Sequence, residues 1–345
     1  MAESRQEVQE LKAKLEQVLT EYRSAHGMSV KPGTIKTYVQ SASMLIRSVG
    51  AEGWEKRRWA TKHEKAIEAY IDGLSNDATR KTALQSIIQV GTAVPAAARV
   101  LKTWNIKFRQ LMADLQEKAK EQKATTKQQQ NWVSLSELRR VVRGYEHTLK
   151  EAGVLNGRGV LPRHLQPVML KWVVGSLYVL DDANPPQRLV YRDTRVISRQ
   201  AYAALSEQDK GEHNYLVRIS PKTKFMFSIG DHKTSGKYGV LKIPVGSKLA
   251  RVLKIWLEYH SGDYLLSSSP LLQPAMSKLV TETFAPTGKR IGASMIRHIV
   301  LTTLFPTEEV KARAQVAHAM GHSLETQAKY SLDLTDAGAA KSGSP

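Results

Sequence analysis

Apolar residues Val8, Leu11, Leu15, Val18 and Leu19 recur at spacings of three and four, which puts one apolar stripe on a helix within residues 1–25. The same period continues from Thr34 to Val49 through Ile35, Tyr38, Val39, Ala42, Leu45 and Ile46, and again over Glu64–Leu74 and Asp77–Val90. Segment 28–112 therefore reads as several short amphipathic helices. Residues 118–131, KAKEQKATTKQQQN, carry no such period, and a run this polar reads as a linker or a frayed helix end. Ser134-Leu-Ser-Glu137 then has the spacing of a capping box and predicts the start of a new helix. The stretch Val168–Leu180 is apolar except for Lys171. It falls short of the roughly 20 residues a membrane-spanning helix needs, so it is expected to be a buried core helix.

The period changes once. Asn214–Ser220 and Lys224–Ile229 are β-rich, with Ser-Pro-Lys-Thr between them as a turn. Asp231–Gly239 is a polar, glycine-containing turn, and Val240–Val245 completes a third strand. The expected fold is mainly α with a small three-stranded antiparallel sheet. Four segments follow: an N-terminal helical domain over 1–117, a linker over 118–133, a second domain over 134–335 and a flexible tail over 336–345.

Composition narrows the function. Lys and Arg number 51 against 32 Asp and Glu, a formal net charge of +19. Such an excess calls for a polyanion, and nucleic acid is the commonest one, with an anionic membrane surface as the rival. There is no cysteine, which excludes disulfides, thiolate chemistry and Cys-ligated zinc. The charged opening stretch does not read as a secretory leader, so a soluble intracellular protein is expected. No Walker-type glycine loop and no His-Glu-x-x-His motif is present. Lys36, Arg80 and Lys81 are candidates for phosphate contact, although any one of them is more simply a charge on a solvated helix face.

The most informative polar residues come late. Ser294-Met-Ile-Arg297-His298 falls on a predicted helix, followed by Met320-Gly-His322-Ser323 and Tyr330. Ser323 has the chemistry to cap a short helix that carries Tyr330 about two turns past His322. Taken with Arg188 in Asn-Pro-Pro-Gln-Arg and Lys233 in Asp-His-Lys-Thr-Ser-Gly-Lys-Tyr-Gly, these residues resemble the catalytic domain of the tyrosine recombinases over about residues 135–332. The Pro-Pro-x-Arg and Lys-Thr…Tyr-Gly patterns look more like members from large DNA viruses and eukaryotic mobile elements than like the common bacterial integrases.

The resemblance implies an integrase-like catalytic domain in a two-domain clamp on double-stranded DNA, acting as a homo-tetramer in DNA integration or recombination. It implies Arg188 and Arg297 on the scissile phosphate, Lys233 as general acid, His322 as a hydrogen-bonding partner and Tyr330 as nucleophile. No cofactor and no metal are implied, because arginine and lysine supply the positive charge. Lys237 is a rival to Lys233 and a possible DNA contact, and Arg192 or Arg195 are rivals to Arg188. Ser294 stands where the family has histidine or lysine. Tyr191 stands where it has an acidic residue, for which Asp193 is the nearest substitute. With only fifteen residues after Tyr330, a long exchanged C-terminal helix is not expected. Two rival functions share these features: a type IB topoisomerase, whose tyrosine usually follows Ser-Lys-x-x rather than the Thr326-Gln-Ala-Lys seen here, and a DNA-binding protein whose site has decayed.

Overall fold

In the first 120 residues the apolar stripes become helices. The computed structural model describes residues 5–28, 32–51, 53–56, 59–94, 96–120, 124–156, 159–220, 224–304 and 320. The chain divides into two compact units, residues 1–120 and 121–345.

The first unit is built from α1 (Arg5–Ala25), α2 (Pro32–Ser48), α3 (Trp59–Lys62), α4 (Glu64–Asp72), α5 (Asp77–Ala93) and α6 (Ala98–Lys120). Leu15 and Leu19 of α1 are buried against a core that includes Leu45, Ile67, Ile71, Leu84 and Ile87. Trp59 and Trp104 join them with ring centroids 6.4 Å apart. Burial of each leucine or isoleucine in this core contributes about 1.5–3 kcal/mol. The Asn76 carboxamide opens α5 by accepting the N–H groups of Ala78 and Thr79, at 2.8 and 3.2 Å.

The second unit opens with α7 (Thr126–Gln130), which lies inside the polar run 118–131. A reciprocal capping box between Thr125 and Gln128 starts it. Next comes α8 (Leu135–Glu151), where the Ser134 hydroxyl accepts the Glu137 N–H at 3.1 Å. The stretch read as a buried core helix is α9 (Gln166–Val179), with Met169, Trp172, Val173, Val174 and Leu177 all buried. The remaining helices are α10 (Arg199–Ala203), α11 (Glu207–Glu212), α12 (Ser235–Tyr238), α13 (Ser247–Tyr259), α14 (Gln273–Thr283) and α15 (Ala293–Leu304). Four of these helices, α8, α13, α14 and α15, pack around α9. Gly175 makes the closest approach possible, since a Cβ there would lie 2.6 Å from Val142 and 3.3 Å from Thr283.

The unit is mostly helical with one small sheet, but the sheet corrects the expectation in one respect. It has four strands, not three, and it is mixed, not antiparallel. The order is β1 (Arg195–Ser198), β2 (Asn214–Arg218), β3 (Phe225–Ile229) and β4 (Leu241–Pro244). The added strand, β1, runs parallel to β2, while β2, β3 and β4 pair antiparallel. Side chains alternate between faces with the period of two that a strand imposes. Leu216, Phe225, Phe227, Ile229, Leu241 and Ile243 enter the main core with α9. Tyr215 and Val217 face the other way and pack with Tyr202 of α10. The outer edge of β1 is covered: Val196 donates to the Asp263 carbonyl at 2.9 Å, and Leu265 donates to the Thr194 carbonyl at 2.7 Å.

Candidate functional site

Strand direction gathers distant segments at one end of this sheet. The parallel register Arg195↔Tyr215 lays the 3-10 turn Val190–Asp193, which precedes β1, beside the start of β2. The antiparallel register Asn214↔Ile229 brings the turn after β3 to the same place. Asn214 joins them and is buried, with 2% of its surface exposed. Its Nδ2 donates to Asp193 Oδ1 at 3.0 Å and to the Asp231 carbonyl at 3.2 Å, while its Oδ1 accepts the Asp231 N–H at 3.1 Å. Arg192 pairs with Asp193 at 2.7 Å and lies 3.9 Å from the Asp231 carboxylate. Gly230 passes so close to α11 that a Cβ would sit 2.0 Å from the Lys210 carbonyl oxygen. Beyond it, one His232 ring nitrogen bonds the Gly239 carbonyl at 2.9 Å and the other bonds Thr234 Oγ1 at 3.2 Å, closing the turn that presents an exposed Lys233. Gly239 has φ 62° and ψ −149°, a conformation open to glycine alone.

Arg188 lies between two anchors. At one, the Asn184 carboxamide donates to the Pro244 carbonyl at 3.0 Å and accepts the Gly246 N–H at 2.8 Å. At the other is the Asp193–Asn214 bond. In the middle, Tyr178 Oη of α9 donates to the Arg188 carbonyl at 2.8 Å. Tyr178 packs edge-on against Tyr191, with centroids 5.5 Å apart, and both rings are fully buried. Burial pushes both phenols above the ordinary tyrosine range, and the positive charge of Arg297 opposes that shift on each. Arg297 is 1% exposed, with Ile296, Ile299, Val300 and Leu301 of α15 buried around it. A buried guanidinium is costly unless it is paired. Tyr178 thus ties the segment carrying Arg188 to α9, in the same core that the apolar residues of α15 enter.

The other nominated residues are more dispersed. Ser294 is exposed in the first turn of α15. His298 turns away from Arg297, its Nε2 lying 3.1 Å from Gln128 Nε2 of α7. Arg195 rests over the Tyr264 ring at 5.8 Å. In the first unit Lys36 is exposed and Lys81 half-buried. Arg80 has a structural task, donating to the Leu74 carbonyl at 2.7 Å and pairing with Asp77 at 3.3 Å. Lys237 belongs to α12, and its side chain lies outside the described residues, as do His322 and Tyr330. Sequence reading overlooked Asn184, Asn214 and Tyr178. The one signal for Asn214 was an amide opening a β-rich run.

Among the described residues no helix is long and apolar enough to cross a membrane. No family model matches the chain, and no curated protein matches it. A crystal structure of XerA recombinase is similar over 94% of this chain and 95% of that one, with a TM-score of 0.37 and 11% sequence identity. A likeness that slight carries no weight, whereas the residues do.

Proposed function

We propose that the chain is a tyrosine-type DNA strand transferase, a site-specific recombinase or integrase that works as a tetramer on two duplexes inside the cell. One observation carries this assignment: Asn214 ties the 3-10 turn Val190–Asp193, two residues past Arg188, to the turn that presents Lys233, in a unit whose α15 buries Arg297.

The chemistry needs such a cluster. A phosphodiester repels nucleophiles, and two guanidinium groups hold its non-bridging oxygens and stabilise the charge that develops on them. Tyr330 Oη attacks phosphorus and forms a 3′-phosphotyrosine, its proton passing to solvent. The bond from phosphorus to the 5′ oxygen breaks, and Lys233 Nζ protonates the leaving oxygen. His322 and Ser294 donate hydrogen bonds to the phosphate. Rejoining reverses these steps with the 5′ hydroxyl of another strand as nucleophile. Lysines and arginines elsewhere, Lys36 and Lys81 among them, contact backbone phosphates, so affinity falls steeply with salt.

Covalent trapping tests the assignment. Wild type and Tyr330→Phe are expressed in cells carrying the source DNA, lysed in denaturing detergent and purified, and the attached DNA is sequenced. Discrete ends on wild type and none on Tyr330→Phe are expected. Ends scattered over all sequences identify a topoisomerase instead. Salt-dependent DNA binding with no attached DNA identifies a binding protein whose site has decayed.

A further inference from the structure

We infer that Asn214 is a positioning residue for Lys233, setting the gap between the phosphate-binding arginine segment and the acid that protonates the leaving oxygen. This rests on the strand-transfer assignment above. A carboxamide has two N–H donors and one carbonyl acceptor. Asn214 uses both donors, on Asp193 Oδ1 and the Asp231 carbonyl, and its acceptor takes the Asp231 N–H. Its orientation is therefore determined, because a flipped amide would set its NH2 against the Asp231 N–H. Both backbone groups of Asp231 are held by this one side chain, two residues ahead of Lys233. The turn has no slack on the strand side, where Gly230 abuts the Lys210 carbonyl and donates its own N–H to the His213 carbonyl at 3.1 Å. It has little slack on the far side, where His232 holds Gly239.

A general acid must come within roughly 2.6–3.2 Å of the oxygen it protonates. Lysine is long and loses much rotamer freedom when it is fixed, so the place of its backbone decides how often it arrives. Asp193 extends the same link to Arg192, and through the 188–193 segment to Arg188. Asn214 thus holds the cation that binds phosphate and the acid that serves the leaving group as one piece. A shift of about 1 Å in such a piece costs on the order of 10²-fold in rate.

The test separates positioning from mere support by changing the leaving group. The probe is a duplex carrying the junction recovered by covalent trapping, made once with ordinary oxygen and once with sulfur bridging phosphorus to the 5′ carbon. In cleavage the P–S bond breaks and the sulfur departs as a thiolate. A thiol has a pKa near 8.5, so this leaving group needs no acid. Asn214→Ala should cleave the oxygen duplex about 10²-fold more slowly than wild type, and the sulfur duplex within a few-fold of it. Lys233→Ala should show the same pattern, and Arg297→Lys should slow both duplexes. If Asn214→Ala does not fold, the isosteric Asn214→Asp carries the test: it keeps the acceptor for Asp231 and loses both donors. Equal loss on the two duplexes, no loss on the oxygen duplex, or rescue of Asn214→Ala without rescue of Lys233→Ala overturns the positioning role and leaves strand transfer standing. No cleavage of either duplex by wild type overturns both.

Discussion

Asn184→Ala removes the anchor ahead of Arg188. The side chain is 5% exposed, and its two bonds tie residue 184 to the end of β4 and the start of α13. The cost depends on what becomes of the partners. A fully buried orphan would lose about 1–3 kcal/mol. Pro244 is exposed and Gly246 half-exposed, so water can take over part of each bond. The low end applies, about 1 kcal/mol for each bond and about 2 kcal/mol together. Native-state hydrogen exchange reads this directly, because the slowest amides exchange through opening of the whole unit. Those of α9, at the centre of the second unit, should exchange about 30-fold faster in Asn184→Ala, since about 1.4 kcal/mol is a factor of ten. Amides of α5 in the first unit report any general effect of the variant and should not change. A change in α9 of less than about twofold would mean that water replaces the clamp without loss, and the account of how Arg188 is anchored would fail.

Two further perturbations test the core of the second unit. Burial raises the pKa of the Tyr178 and Tyr191 phenols, so above about pH 10 the unfolded chain releases protons that the folded chain retains. Stability contributed by these groups is complete below that pH and falls as pH rises through it, by about 1.4 kcal/mol per pH unit for each tyrosine. Tyr191→Phe should make the slope of unfolding free energy against pH shallower by that amount above pH 10, and equal slopes for variant and wild type would sink the reasoning. Gly175→Ala puts a methyl 2.6 Å from Val142. Overpacking of about 1–3 kcal/mol outweighs a gain of about 1 kcal/mol in helix propensity, so the variant should be less stable, and Val142→Ala in the same chain should recover part of the loss. A more stable single variant would contradict the close packing of α8 on α9.

Much of the architecture was legible because it depends on local patterns. Period-3.6 stripes located α1, α2, α4 and α5, and the apolar run interrupted only by Lys171 located α9. Period-two residues bounded by turn chemistry located β2, β3 and β4. The strand β1 escaped because Arg-Val-Ile-Ser is short, starts with a charge and ends in a helix cap, and a parallel partner leaves no hairpin turn to announce it. Arg297 stood out as a charge on an apolar helix. Asn184 and Asn214 did not, because an asparagine beside a turn looks like turn chemistry, and only strand register reveals that each one bridges segments far apart in the chain. His322 and Tyr330 were nominated by motif and lie outside the described residues, so their part in the site rests on the trapping experiment.

The sheet has a consequence for self-association. Exposed strand edges recruit other chains, and proteins blunt them to avoid it. One edge here, β1, already spends hydrogen bonds on residues 263–265 of its own chain. The opposite edge, β4, ends in Pro244, which has no N–H to give and whose carbonyl is taken by Asn184, and it displays Lys242 to solvent. With β1 covered and β4 blunted by a proline and a lysine, the described strands offer a neighbouring copy no long, flat edge to extend. The β-rich segments of this basic chain are thereby kept from the edge-to-edge stacking that builds fibrils.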